Sequence, residues 1–221
     1  MAQQTTRIAI NNRKSANRIY DVVFFGDSIH TIVTYDPDIA TQWISDVEHD
    51  NSGRLLRLIV GLDVEWRPSF KRNSHNPAAT LQLCVGGRCL IYQLIYSPSI
   101  PKSLTDFLAN PNYTFVGIGI DDDLKKLQDD YAFGFNTVTV DLRGLAADKY
   151  GQSDLKNSGL KGLAKIVLEK EVEKPKKIRM SGWDKKRLTY DQVRYACVDA
   201  FVSFEIGRIL NASSSSSSAS G

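Results

Sequence analysis

Asp63 and Glu65 close the apolar run Leu58-Ile59-Val60-Gly61-Leu62-Asp63-Val64-Glu65-Trp66. The run has the composition of a buried central strand, and a buried strand does not end in two carboxylates without something to compensate them. Side chains alternate along a strand, so Asp63 and Glu65 share one face with Gly61, while Leu62 and Val64 face the other way. Like charges that close raise each other's proton affinity unless a cation stands between them. A divalent metal held by oxygen ligands is the natural cation. A strand end that simply turns out to solvent is the plain alternative, and on this stretch alone both readings stand.

Two further places supply acids. The run Thr114-Phe115-Val116-Gly117-Ile118-Gly119-Ile120 leads straight into Asp121, Asp122 and Asp123, and then into a helical pattern with Leu124, Leu127 and Tyr131 on one face. Capping and the helix dipole favour acids in a first turn, which accounts for one or two of the three. With Asp121 as the cap, either Asp122 or Asp123 is left to point across the sheet end toward Asp63. The last helical pattern, Tyr190 to about Leu210, has Val193, Cys197, Ala200, Phe204 and Gly207 as its core stripe. Tyr195 and Asp199 stack one turn apart on its flank, and no lysine or arginine lies three or four residues from Asp199. Such a pair facing the sheet end would complete a metal site; a tyrosine on a core edge with Asp199 capping a loop is the alternative.

The elements that must position these groups follow from pattern. Tyr20–Phe25 and Ile29–Thr34 flank Gly26-Asp27-Ser28 as a hairpin, and His30 within it is read as a sheet-surface residue. Asp38 is expected to cap a helix carrying Ile39, Trp43, Ile44 and Val47. Arg67 to Pro77 reads as a loop with two prolines, in which Arg67, Lys71 and Arg72 are either phosphate contacts or ordinary solvated charge. A Gly86-Gly87 turn sets Cys84 opposite Cys89, read as two free thiols. A short helix over Leu104 to Leu108, a strand over Thr137 to Leu142, and helices over Leu145 to Tyr150 and Leu155 to Leu168 follow, the last with Leu160, Leu163, Ile166 and Val167 inward. Glu169 to Lys177 is charged throughout and fits a solvated linker, an import signal or a nucleic-acid contact.

Composition sets limits on these readings. The chain has 221 residues, 42% of them hydrophobic, enough for one well-buried α/β domain. Residues 1–18 read as a loose arm, 19–211 as the domain and 212–221 as a disordered serine-rich tail. Twenty-eight basic against twenty-five acidic side chains leave a formal charge of +3, more suggestive of an anionic partner if several acids are spent on metal. Three irregularly spaced cysteines argue against a disulfide framework or zinc site, and no apolar run could span a bilayer. The expectation is a reduced, cytoplasmic or nuclear protein with no membrane partner.

In order, Val60-Gly61-Leu62-Asp63-Val64-Glu65-Trp66, Val116-Gly117-Ile118-Gly119-Ile120-Asp121-Asp122-Asp123, and Ser181-Gly182-Trp183 through Thr189-Tyr190-Asp191-Gln192 to Tyr195-Ala196-Cys197-Val198-Asp199-Ala200 resemble the three motifs of the DEDDy-type 3′–5′ exonucleases of the ribonuclease H-like (DnaQ-like) superfamily. Within it the match is closest to the Werner-syndrome-type exonuclease domains and covers about Tyr20 to Leu210. The resemblance implies a mixed central sheet flanked by helices. It also implies that Asp123 is the motif carboxylate of the second run and that Tyr195 stands where a sister class carries histidine.

What the resemblance implies chemically is metal-dependent hydrolysis of phosphodiesters from a 3′ end, releasing nucleoside 5′-monophosphates. Asp63, Glu65, Asp123 and Asp199 would hold two Mg²⁺ or Mn²⁺ ions, Asp63 bridging, and Tyr195 would orient the attacking water and help remove its proton. Trp66, Arg67, Lys71 and Trp183 are the expected nucleic-acid contacts. The expected substrate is single-stranded or overhanging RNA or DNA with a free 3′ end, RNA slightly favoured because the chain has no room for a helicase. A DNA-specific Werner-like enzyme, an internally cutting nuclease and a catalytically degenerate binding module are the alternatives. Stand-alone plant members of the group, including RISC-interacting clearing exoribonucleases, imply ring assembly or a small-RNA silencing complex.

Overall fold

The computed structural model describes residues 8–12, 17–69 and 75–215. Eight strands form one mixed sheet: β1 (Ile8–Asn12), β2 (Asn17–Phe24), β3 (Asp27–Thr34), β4 (Leu58–Trp66), β5 (Ala78–Val85), β6 (Arg88–Tyr92), β7 (Tyr113–Gly117) and β8 (Thr139–Asp141). Their spatial order is β1-β2-β3-β6-β5-β4-β7-β8. The helices are α1 (Pro37–Asp50), α2 (Lys102–Leu108), α3 (Ile120–Tyr131), α4 (Leu142–Tyr150), α5 (Leu160–Val167), α6 (Lys176–Arg179), α7 (Tyr190–Ile209) and α8 (Ala212–Ser215). With helices against both sheet faces, this is the expected ribonuclease H-like α/β arrangement, and no described helix is long and apolar enough to cross a membrane.

Strand direction decides where chemistry can sit. β4 and β6 both run antiparallel to β5, so they are parallel to each other; β7 and β3 are parallel to β4 and β6 respectively. The carboxyl ends of β3, β6, β4 and β7 therefore meet at one edge of the sheet, the edge at which open α/β sheets bind ligands.

Helix α7 crosses the central strands and is buried along most of its length. Its start is fixed by a capping box: the Thr189 hydroxyl accepts the Gln192 amide at 3.2 Å, and the Gln192 side chain accepts the Thr189 amide at 2.9 Å. Its depth is fixed by missing side chains. A Cβ on Gly61 would lie 2.0 Å from the Ala200 carbonyl oxygen, and one on Gly207 would lie 2.9 Å from a Val116 methyl. Gly61 lets strand and helix touch backbone to backbone and Gly207 lets the Val116 methyls reach the helix backbone, which brings Asp199 down to the level of Asp63.

Several expected boundaries move. The arm expected to be loose carries β1, an antiparallel edge strand on β2. Asp36, not Asp38, caps α1, accepting the Asp38 amide at 3.0 Å, because Pro37 suits the first helical position and has no amide to satisfy. β7 stops at Gly117 and α3 begins at Ile120 with Gly119 as cap at φ +68°, so all three aspartates lie in the first turn and Asp121 is not the cap. A left-handed residue is cheap only for glycine there, and Asp141 accepts the Gly119 amide at 2.9 Å. The helix expected over Leu155–Leu168 is broken at Ser158-Gly159 into a 3₁₀ turn, Ser153–Asn157, and α5; Ile166 is exposed, not inward. The tail starts as the one-turn α8, and its remainder, from residue 216, lies outside the described residues.

Cys84 and Cys89 do oppose one another, as free buried thiols. Cys197 joins them from α7, accepting a hydrogen bond from the Thr31 hydroxyl at 3.1 Å. His30 is a half-buried sheet residue paired with Asp21 across the hairpin at 3.2 Å.

Candidate metal centre

Asp63 and Glu65 leave β4 on the face that Gly61 opens to α7, and Asp199 comes down from α7 onto the same point. The three carboxylates each offer an oxygen, all within 4.8 Å of one another. Asp123 approaches from the first turn of α3 and is buried, whereas Asp121 and Asp122 are exposed. Asp121 accepts the Thr139 hydroxyl at 3.0 Å. The geometry thus separates Asp123 from Asp122: Asp123 is buried and feels the Asp63 charge, though it stands outside the tight group of three.

Burial and mutual repulsion dominate the electrostatics. Burial first, and then the Asp199 charge, push the Asp63 carboxyl up to about 7. Burial and then Asp63 push Glu65 up to about 10, and the same two causes push Asp123 up to about 9. Asp63 Oδ2 is buried and finds no hydrogen-bond partner among the described residues. A cluster of hard oxygen donors with an unspent acceptor, each donor raising the others' proton affinity, fits a doubly charged ion such as Mg²⁺ or Mn²⁺.

One cation already reaches this cluster, and it comes from the segment expected to be a solvated linker. Lys174 Nζ lies 2.6 Å from Asp199 Oδ2 and 5.3 Å from the centre of the Tyr195 ring. Burial opposes its charge, but Asp199 and Asp63 outweigh burial and hold the ammonium above its ordinary range. Asp199 therefore does have charged company, from 25 residues upstream in sequence rather than from its own helix. The available signal was Val172, the one aliphatic residue between Glu169 and Lys177, which is buried and anchors the segment. Lys174→Met should lower the melting temperature of the metal-free chain by about 4–8 °C, as roughly 2 kcal/mol of pairing is lost while the carboxylates take up protons in compensation. Because the ammonium competes for Asp199, Mn²⁺ should raise the melting temperature more in this variant than in the parent; an equal rise would show that Lys174 and the ion do not share Asp199.

Tyr195 is buried against Asp199, and burial, then the surrounding carboxylates, push its phenol far above the ordinary range. Trp183 was expected on the nucleic acid, but it is fully buried. Its Nε1 donates to the Arg179 carbonyl at 3.2 Å and its ring packs 5.9 Å from the Tyr195 ring, so its place is behind the tyrosine. An indole with a large apolar ring and one donor is satisfied better in that slot than in water. Trp66 does reach the surface beside Glu65, 38% exposed, with the Lys126 ammonium 5.0 Å over its ring. Arg67 is exposed but held by Asp184 at 3.0 Å. Lys71 and Arg72 lie outside the described residues. A cleft of about 330 Å³ runs past Asp63, Glu65, Trp66, Lys174 and Tyr195, wide enough for a small polar ligand at the carboxylates.

A model of the 3′–5′ exonuclease domain matches residues 32–213. Over 168 residues the chain is 36% identical to a 3′–5′ exonuclease of Arabidopsis thaliana, covering 76% of this chain and 56% of that protein. It is 34% identical over 144 residues to the bifunctional 3′–5′ exonuclease/ATP-dependent helicase WRN of Mus musculus, covering 65% of this chain and 10% of that protein. The chain thus spans about half the length of one relative and a small part of the other. Among solved structures it resembles Escherichia coli RNase D, with a TM-score of 0.64 at 16% identity, covering 84% of this chain and 45% of that one.

Proposed function

The chain belongs to the 3′–5′ exonuclease domain family, and we propose that it hydrolyses the 3′-terminal phosphodiester of single-stranded or overhanging nucleic acid, RNA in preference to DNA, releasing nucleoside 5′-monophosphates. The observation that carries this reading is the convergence of Asp63, Glu65 and Asp199 within 4.8 Å, faced by the buried Asp123. These four carboxylates would hold two Mg²⁺ or Mn²⁺ ions. When bound, such ions supply charge stabilisation for the dividing phosphodiester and a water that ionises near neutral pH.

The chain's own side chains do the rest. When ionised, the four carboxylates gather negative charge at one point and would repel the substrate's phosphate until a cation neutralises them. Tyr195 keeps its proton at neutral pH, since burial and Asp199 hold its phenol high. Beside Asp199, it would orient the attacking water by hydrogen bonding. Trp183 holds that phenol in place from behind. Trp66, on the wall of the cleft, would meet the last nucleotide, with Arg67 next to it in sequence but held by Asp184.

Tyr195→Phe should slow cleavage about 10²-fold, in line with a lost orienting hydrogen bond, while leaving the Mn²⁺-induced rise in melting temperature unchanged. An unchanged rate would remove Tyr195 from the reaction. The reading as a whole is tested with 5′-labelled linear and internally labelled circular single strands, in RNA and DNA, with Mg²⁺, Mn²⁺ or chelator. Linear strands should shorten stepwise from the 3′ end, RNA faster, and circles should survive. Cut circles would indicate internal cleavage, and intact linear strands with either metal would reduce the domain to a binding module.

A further inference from the structure

We propose that the strand whose 3′ end occupies the carboxylates runs along the sheet edge into a second, basic cleft, where Arg18, Lys186 and Arg187 bind its backbone phosphates. This rests on the exonuclease reading above for the identity of the ligand, and on a separate set of residues for the site. The cleft, about 260 Å³, is lined by these three cations with Tyr20, Tyr35 and Gln93 among its walls, and no carboxylate lines it.

The register places this cleft on the same face of the sheet as the carboxylates. Thr31 faces α7, since its hydroxyl reaches Cys197, and it pairs with Tyr20, whose ring meets Tyr190 edge-on at 6.0 Å. Arg18, opposite Val33, is two residues from Tyr20, so it projects to that face too. Asp63 and Glu65 share the face of Gly61, which backs onto Ala200 and Phe204 of α7. The cleft also lies at the same edge. It sits at the carboxyl ends of β3 and β6, which stand three and two strands from β4. At about 4.8 Å per strand that is a separation of about 10–14 Å, roughly three or four nucleotides at a stacked rise of ~3.4 Å.

Among the described residues the three cations have no ion-pair partner. Gln93 Nε2 donates to the carbonyls of Lys185 and Lys186 at 3.2 and 3.4 Å, and the Tyr96 hydroxyl donates to the Asp184 carbonyl. These bonds pin the Asp184–Leu188 loop to the end of β6. The loop's one carboxylate, Asp184, is spent on Arg67 at 3.0 Å, beside the catalytic strand. The Lys186 ammonium rests 5.2 Å over the Tyr35 ring. Among the described residues, no carboxylate lies within ion-pair distance of Arg18, Lys186 or Arg187. Three unpaired cations on a pinned loop and a strand end present the charge spacing of a phosphate track, whereas an ordinary solvated surface intersperses its acids.

The test uses the full chain and a 5′-fluorescein ten-nucleotide single strand, RNA and DNA in separate arms, read by anisotropy in chelator so that nothing is cleaved. Arg18→Glu/Arg187→Glu should weaken binding at least tenfold and flatten the log Kd against log salt slope by about 1.4, the loss of two phosphate contacts. Arg18→Lys/Arg187→Lys should keep most of the affinity. An unchanged Kd and slope in the glutamate variant, with its melting temperature near the parent's, would overturn the phosphate track. So would a lysine variant that loses as much as the glutamate one. With Mn²⁺ added to the parent protein, failure to shorten either strand would sink the exonuclease reading alone, because the anisotropy still reads the cleft.

Discussion

Asp63→Asn should abolish 3′-end shortening, a loss of at least about 10³-fold, and at the same time raise the melting temperature of the metal-free chain. The two effects have one cause. Asp63 sits at the centre of the cluster, its charge acting on Glu65, Asp123, Lys174 and Tyr195. Removing that charge deletes a ligand that nothing else replaces, yet it also relieves the repulsion that burial makes expensive. A structural residue would behave oppositely, losing stability along with activity.

The pH dependence follows with a definite sign. Asp63, Glu65 and Asp123 are all pushed above their ordinary carboxyl values, to about 7, 10 and 9. A carboxyl raised on folding stabilises the fold fully below its ordinary value, and that stability is lost as pH rises through the folded value. In chelator, stability should therefore fall from about pH 5 upward, first through Asp63, and the fall between about pH 5 and 8 should be shallower in Asp63→Asn. With Mn²⁺ present the carboxylates are charged and compensated, so the parent's slope should flatten. Melting temperatures in chelator that are flat or rising over this range would mean the cluster is not a repulsive one.

Gly61→Ala should cost the fold at least about 3 kcal/mol, more than ordinary overpacking, and should remove activity even where folded protein is recovered. The added methyl would stand 2.0 Å from the Ala200 carbonyl oxygen and 2.8 Å from the Phe204 amide nitrogen. Both obstacles are backbone, so no side chain can rotate away and the whole of α7 must rise off β4. Asp199 and Tyr195 rise with it, which opens the carboxylate cluster. Urea denaturation and the Mn²⁺-induced melting shift read the two consequences separately. A variant as stable as the parent would mean that α7 does not lie as close to β4 as it stands here.

The chemistry of this chain was legible in sequence because it is carried by local anomalies. Two carboxylates ending an apolar strand, three aspartates where a helix start needs one or two, and an aspartate without cations on its own helix are each visible within a few residues. Strand alternation put Asp63 and Glu65 on one face, and the helical repeat stacked Tyr195 under Asp199, since both periods are properties of the backbone. Resemblance to a family then joined the three stretches and selected Asp123 from Asp122. What only the tertiary structure decided involves contacts between segments distant in sequence. Lys174 reads as one more charge in a solvated run, because the Asp199 it meets lies 25 residues away on another element. Trp183 reads as a nucleic-acid contact within a motif, and its burial depends on Arg179 and Tyr195 coming to it. Arg18 and Arg187 lie at opposite ends of the chain, and only a sheet whose parallel strands all end at one edge makes them part of one cleft. Periodicity is written into the order of residues; which charge meets which is decided by strand order and by how closely a helix can approach a glycine.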